Sequence, residues 1–175
     1  YRKREFSAVG EEAFVPPTDT DQFGVFGLKE LTINRVRLEL GGRYERTRHE
    51  VTETGVERTF NGLSVSGGFG VDVTENVFFG VNAFRTERAP ATEELFSDGP
   101  HLATNAFEIG DPDLDEEVGR GAEATLRYAN DRFSIGVNGF YTSYKDFIYE
   151  AATGEEEDGL PVFAFQAANA EFRGF

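Results

Sequence analysis

The chain has 175 residues with 32 acidic and 17 basic side chains, and its net charge of −15 would repel a phosphate backbone, which argues against nucleic acid as a partner. The absence of Cys excludes disulfides, thiolate metal sites and cysteine nucleophiles, and the absence of Met means that Tyr1 is expected to follow earlier sequence. No signal peptide or apolar run of helical membrane-span length occurs, yet 18 Phe and 20 Gly in a chain only 39% hydrophobic favour strands with aromatic faces and close backbone approaches.

Eight strands are expected, near residues 1–9, 22–31, 35–47, 60–73, 77–87, 119–129, 132–148 and 162–175. In the third, Val36, Leu38, Leu40 and Tyr44 alternate with Arg37, Glu39, Arg43 and Glu45. In the fourth, Leu63, Val65, Phe69, Val71 and Val73 oppose Ser64, Ser66, Gly68, Gly70 and Asp72, the pattern of a strand wet on one side. The fifth sets Val77, Phe79, Val81 and Ala83 against Gly80 and Asn82, with Phe78 and Phe84 intruding on the polar side. Ala122, Ala124, Leu126 and Tyr128 continue the pattern in the sixth, and Phe133, Ile135, Val137 and Tyr141 in the seventh. About ten residues rising about 3.3 Å each at a tilt of about 45° reach roughly 23 Å, close to the apolar band of an outer-membrane barrel.

The connections alternate in length. Residues 10–21, 48–59, 88–118 and 149–161 form long loops, whereas 32–34, 74–76 and the Asn130-Asp131 turn are short. That rhythm matches a barrel with short turns on one side of a membrane and long loops on the other. The predicted fold class is therefore all-β, an antiparallel up-and-down transmembrane β-barrel segment of about eight strands. In the last strand, counting back from Phe175 reaches Arg173, Glu171 and Asn169, too polar for lipid. Ala168, Ala170 and Phe172 are expected on the lipid face instead, Phe175 is expected to be a truncation point, and further strands are needed to cover the open edges.

The longest loop carries Arg88-Ala89-Pro90, Glu94-Leu95-Phe96, Gly99-Pro100-His101-Leu102-Ala103-Thr104, Phe107-Glu108-Ile109-Gly110-Asp111-Pro112, Leu114 and Glu117. In this order these residues resemble the barrel of TonB-dependent outer-membrane receptors, and the Gly-Pro-His-Leu-Ala-Thr portion is most similar to the branch that includes zinc-uptake receptors. Phe6 to Pro17 with Gly24-Val25-Phe26, Arg43-Tyr44-Glu45, Asp146 to Tyr149 and Leu160 to Phe163 extend the resemblance over nearly the whole chain. It implies that residues 1–175 are part of one barrel domain of 22 strands in the outer membrane of a Gram-negative-type envelope. It also implies uptake of a scarce nutrient, driven by the TonB energy-transducing complex through a plug region outside this chain. The partners so implied are outer-membrane lipid, that complex, and a small-molecule or metal ligand.

The residues themselves point to binding rather than catalysis. His101 stands among Glu93, Glu94, Asp98, Glu108 and Asp111, and neutral imidazole with hard carboxylates suits a transient zinc site, so His101, Glu94 and Asp98 are the candidate metal ligands. The alternative is a loop histidine hydrogen-bonded to its neighbours or to water. No resident cofactor is required, and zinc enters only as cargo. The positions matching the family motif are Arg88, Pro90, Glu94, Leu95, Gly99, Pro100, His101, Gly110, Leu114 and Glu117, with Arg85, Arg88 and Glu117 expected to form structural ion pairs. His49, between Arg48 and Glu50, reads as solvated surface.

Three tempting motifs fail. Asp111, Asp113 and Asp115 open like a calcium loop, but Glu116 and Ala122 stand where that loop needs Gly and a bidentate Glu. Gly67-Gly68-Phe69-Gly70 lies within an alternating strand and not before a helix, so it is no phosphate cradle. Glu93 and Glu94 point apart on an extended chain, and no Ser, His and Asp set announces a hydrolase. The function expected is that of a receptor or transporter for a metal or metal complex. The alternative is a small structural or adhesive outer-membrane barrel with acidic extracellular loops, and a third reading is a soluble β-rich binding domain.

Overall fold

The computed structural model describes residues 1–8, 10 and 13–175; Val9, Glu11 and Glu12, which the expected first strand and loop include, lie outside the described residues. Ten strands and one short helix follow in chain order: β1 (Arg2–Phe6), β2 (Thr18–Ile33), β3 (Val36–Val51), β4 (Glu57–Asp72), β5 (Val77–Arg88), α1 (Thr92–Phe96), β6 (Asp98–His101), β7 (Ala106–Ile109), β8 (Glu117–Ala129), β9 (Ser134–Glu157) and β10 (Leu160–Gly174). They form one sheet in the order β1-β2-β3-β4-β5-β8-β9-β10-β7-β6, open at β1 and β6. All eight expected strands are present. The two additional ones lie inside the longest loop.

Residues paired across an antiparallel ladder share a face, so the register sorts the side chains. Ile33, Val36, Val71, Phe79, Leu126 and Val137 form one apolar row across six strands, and Leu31, Leu38, Phe69, Val81 and Ala124 form the row above it. On the opposite, inner face Glu30, Glu39, Gly68, Asn82 and Glu123 line up. Ile33, Leu126 and Val137 are each more than half exposed, so the apolar rows make a continuous solvent-facing belt of the kind that lipid covers. The belt spans roughly residues 23–33, 36–44, 63–73, 77–85, 120–128 and 133–141.

The inner face explains the aromatics that break the alternation. A Cβ placed on Gly70 or Gly80 would meet the ring of Phe78 at 2.9 or 3.0 Å, and one on Gly121 would strike Phe84. Each ring therefore lies flat over glycines of its own or the neighbouring strand and covers backbone that glycine leaves bare. Phe78 also sits between the guanidinium groups of Arg37 and Arg127, at 5.3 and 5.5 Å.

Two expectations need correction. Loops 48–59 and 149–161 are largely strand: β3 and β4 close through a short turn in which Val51 N–H donates to Val56 O at 2.9 Å, and β9 and β10 close through Asp158-Gly159, both with positive φ. That pair of φ values suits a two-residue hairpin turn matched to the twist of its strands. The strands are longer than the membrane needs, and their ends project beyond the apolar belt, where polar side chains on both faces hide the period of two. In β10, Ala170 and Phe172 pair with Tyr144 and Thr142 on the inner face, and Glu171 and Arg173 join Ser143 and Tyr141 on the outer one. Phe172 faces inward because it packs with Tyr144 and Phe147, at 5.7 and 5.5 Å between ring centroids. Beside this trio β9 bulges at the register shift opposite Ala168 and Ala170, with Asp146 at φ 56°.

Candidate functional site

The longest loop joins β5 to β8, which are adjacent antiparallel strands, and folds back over the mouth of the sheet. Its first turn is α1. Glu94 accepts a hydrogen bond from Ala91 N–H at 2.6 Å and thereby satisfies one of the donors that every helix start leaves unpaired. From there β6 and β7 form a hairpin whose Phe107, Glu108 and Ile109 add in parallel to Val162, Phe163 and Ala164 at the edge of β10. Leu95 and Leu114 of the loop are buried against Phe60 of β4 and Ile148 of β9, with Phe165 of β10 packed alongside. The loop is a docked cap and not a tether.

Most family-motif residues build this cap. Arg88 pairs with Glu94 at 2.8 Å and Glu117 at 3.3 Å, and Glu117 also accepts from Ile148 N–H at 3.1 Å. Burial disfavours the charge of Arg88, but the two carboxylates outweigh it and raise the Arg88 pKa above its usual value. Pro90 is fully buried. A Cβ on Gly99 would lie 3.1 Å from Phe14 Cα, and one on Gly110 would lie 2.6 Å from Leu95 C. Gly110 and Asp111 donate from their backbone N–H groups to Ser97 O and Glu94 O at 2.7 and 2.9 Å. Arg85 pairs with Glu87. Asp111 accepts from Asp113 N–H at 2.9 Å, so the aspartate run makes a side-chain-closed turn.

The three candidate metal ligands go to different places. His101 Nδ1 lies 2.7 Å from Glu108 Oε1, which also accepts from Thr104 Oγ1 at 2.8 Å, and its ring stacks on Phe14 at 4.2 Å. Glu94 is engaged with Arg88 and Ala91, and Asp98 is exposed at the start of β6. Among the described residues no three His, Asp or Glu groups converge as metal ligands. Glu150 lies in the field of Glu108 and His101, and its pKa is raised, chiefly by burial and then by the Glu108 charge. Asp98 instead borders a cavity of about 730 Å3 between the first loop, the β3–β4 turn and the cap, whose walls include Phe14, Val15, Pro16, Val51, Phe96 and Ile109. That volume lies within the range of small-molecule sites, roughly 300–1,000 Å3.

His49 overturns its reading as solvated surface. It is buried on the inner face, with Nδ1 2.9 Å from Thr20 Oγ1 and Nε2 3.2 Å from Pro90 O. Pro90 O can only accept, so Nε2 carries the proton and Nδ1 accepts from Thr20. The signal available was the alternation of Thr47, His49 and Val51 against Arg46, Arg48 and Glu50, which continues the faces of β3 past its apolar stretch. The ring pins the start of the cap to β2 and β3.

Burial lowers the His49 pKa, aided by the charge of Arg4 and opposed by the Pro90 carbonyl and the Glu93 charge. The unfolded segment, with His near its ordinary value of about 6.5, then binds a proton more readily than the folded one. The anchor is complete above about pH 6.5 and weakens as pH falls from there through the lowered folded value. Amide exchange at residues 89–92, corrected for intrinsic rate, is expected to accelerate between about pH 7.5 and about pH 5.5, and His49→Gln to flatten that dependence. Equal pH dependence in both proteins would rule out His49 as the cause.

Solved structures share this architecture. The chain matches a structure titled "Copper transporter OprC" with a TM-score of 0.76 and 20% identity, over 90% of this chain and 25% of that one. It matches the Serratia marcescens hemophore receptor HasR, solved in complex with its hemophore HasA and heme, with a TM-score of 0.75 and 18% identity over 92% of this chain and 32% of that one. A weaker likeness, with a TM-score of 0.50 and 13% identity, is to the siderophore receptor PirA from Pseudomonas aeruginosa, over 90% of this chain and 39% of that one. The chain thus spans about a quarter to two fifths of the structures it resembles. The model of the family described as "TonB dependent receptor-like, beta-barrel" matches residues 2–175, and with an apolar outer belt, a polar inner face and a docked cap between β5 and β8, the chain belongs to that family.

Proposed function

We propose that the chain forms one wall of an outer-membrane receptor that imports a scarce nutrient, either a metal ion or a metal complex. Import is driven by the TonB complex acting through a plug region outside this chain. The observation that carries the reading is the family match across residues 2–175, which coincides with an exposed apolar belt six strands wide. Copper, heme and siderophore, named for the structural neighbours, support a metal or metal-complex cargo. The work of such a wall is to bind its cargo and pass it on.

Zinc remains one cargo within this class. His101 and Glu108 offer an imidazole and a carboxylate to it, with further ligands required from the plug region. Deleting the gene that encodes this chain should lower uptake of labelled zinc, copper, iron or heme under limitation of that nutrient, and complementation should restore it. Unchanged uptake of all four would overturn the reading.

A further inference from the structure

We infer that beyond the apolar belt the wall is split into two leaves, β2–β4 and β5–β10, and that the mouth widens by parting them along a seam latched by the carboxylates of Glu87 and Glu116. The inference does not rest on the receptor reading, because both sides of the seam are strands of this chain. The β4–β5 ladder ends at the pair Val65–Arg85, although β4 extends outward to Glu57 and β5 to Arg88. Over that stretch β4 stays paired with β3 as far as Glu57, and β5 with β8 as far as Arg88. Continued, the ladder would set Leu63 against Glu87 and Asn61 against Ala89. Gly62 accounts for the departure: a Cβ there would lie 3.3 Å from Glu87 O and 3.4 Å from Glu87 Cβ. Gly62 pairs with Glu45 on the inner face, so the end of β5 laps over the inner side of β4 at a position that carries no side chain.

Side chains stand in for the ladder along this seam. The Glu87 carboxylate accepts from Leu63 N–H and from Arg85, whose guanidinium also donates to Leu63 O at 3.0 Å. Glu87 N–H donates to Ser64 Oγ at 3.2 Å, and Glu116, on the return to β8, accepts from Asn61 N–H at 3.0 Å. The edge of β4 is thus held by rotatable side chains of the other leaf and not by its backbone. Opening a ladder breaks a row of backbone hydrogen bonds together, whereas this seam opens by turning a few charged side chains into water, where they are solvated again. Further ties between the leaves run through the cap: Leu95 packs on Phe60, Arg58 donates to Leu114 O at 2.7 Å, and His49 bonds Pro90 O at 3.2 Å. Latch and cap hold the mouth in parallel, and the ladder below Val65–Arg85 keeps the belt closed while they release.

The test measures distances between spin labels in the full-length protein in detergent. One pair, T59C with V118C, spans β4 to β8 beyond the end of the ladder; the other, V71C with L126C, spans the same strands within the belt, where Val71, Phe79 and Leu126 are paired in one row. Each pair is read in the parent protein, in L95A, which frees the cap, and in L95A/E87A/E116A, which frees the latch as well. The 59–118 distance is expected to lengthen by several ångström in the triple variant, and to lengthen less in L95A, while 71–126 stays constant and reports that the wall is still folded. A 59–118 distance unchanged in the triple variant would overturn the split wall. So would a change of 71–126 as large as that of 59–118. A distance as long in L95A as in the triple variant would overturn the latch.

Discussion

Gly110→Val is expected to detach the cap from the mouth of the barrel while leaving the membrane belt folded. A Cβ at Gly110 would lie 2.6 Å from Leu95 C and Phe96 N and 2.7 Å from Ser97 N, all backbone atoms at the end of α1. A side chain could swing away; backbone cannot, because Gly110 N–H is itself bonded to Ser97 O at 2.7 Å and Asp111 N–H to Glu94 O at 2.9 Å. The two backbones approach so closely that only hydrogen fits between them. Overpacking commonly costs about 1–3 kcal/mol, and a clash with fixed backbone belongs at or above the upper end of that range. Limited proteolysis should then cleave within residues 89–116 of the variant and spare the strands. A variant as resistant as the parent protein would show that the segments can move apart at little cost.

Leu95→Ala should have the next largest effect, about 2–5 kcal/mol against the docked state of the cap. Leu95 is 1% exposed and touches three elements far apart in sequence: Phe60 of β4, Leu114 of the cap's return and Ile148 of β9. Truncation leaves a cavity walled by strands that hydrogen bonds hold in place, so the site collapses poorly. Amide exchange should rise at α1, at Leu114 and at the β6–β7 hairpin, whose three-residue parallel pairing with β10 is a weak attachment by itself. Exchange that rises only at Leu95 would mean that the cap is held by its ion pairs and hydrogen bonds, not by this cluster.

Much of the strand wall was legible in the sequence because an apolar outer face and a polar inner one impose strict alternation. Val36 to Tyr44, Leu63 to Val73 and Phe133 to Tyr141 follow it, and the register places their apolar members on one face. Legibility fell beyond the belt, where both faces are wet. There the continuations of β3, β4, β9 and β10 read as loops, although Asp158-Gly159 carried a hairpin signal in plain view. His49 went unread for a related reason: charged neighbours in sequence lie on the opposite face of the strand and report nothing about its own surroundings.

The order of residues along the chain determined the strand period and the motif residues that resemble the family, because each depends on local spacing. Only the tertiary structure decided where the cap sits, which glycines it needs, and what its carboxylates do. Glu117 is engaged by Arg88, His49 by Thr20 and the Pro90 carbonyl, and Leu95 packs with Phe60 and Ile148. These outcomes follow from contacts between residues tens of positions apart, whose partners are set by sheet register and by burial, and no window along the sequence contains both members of such a pair.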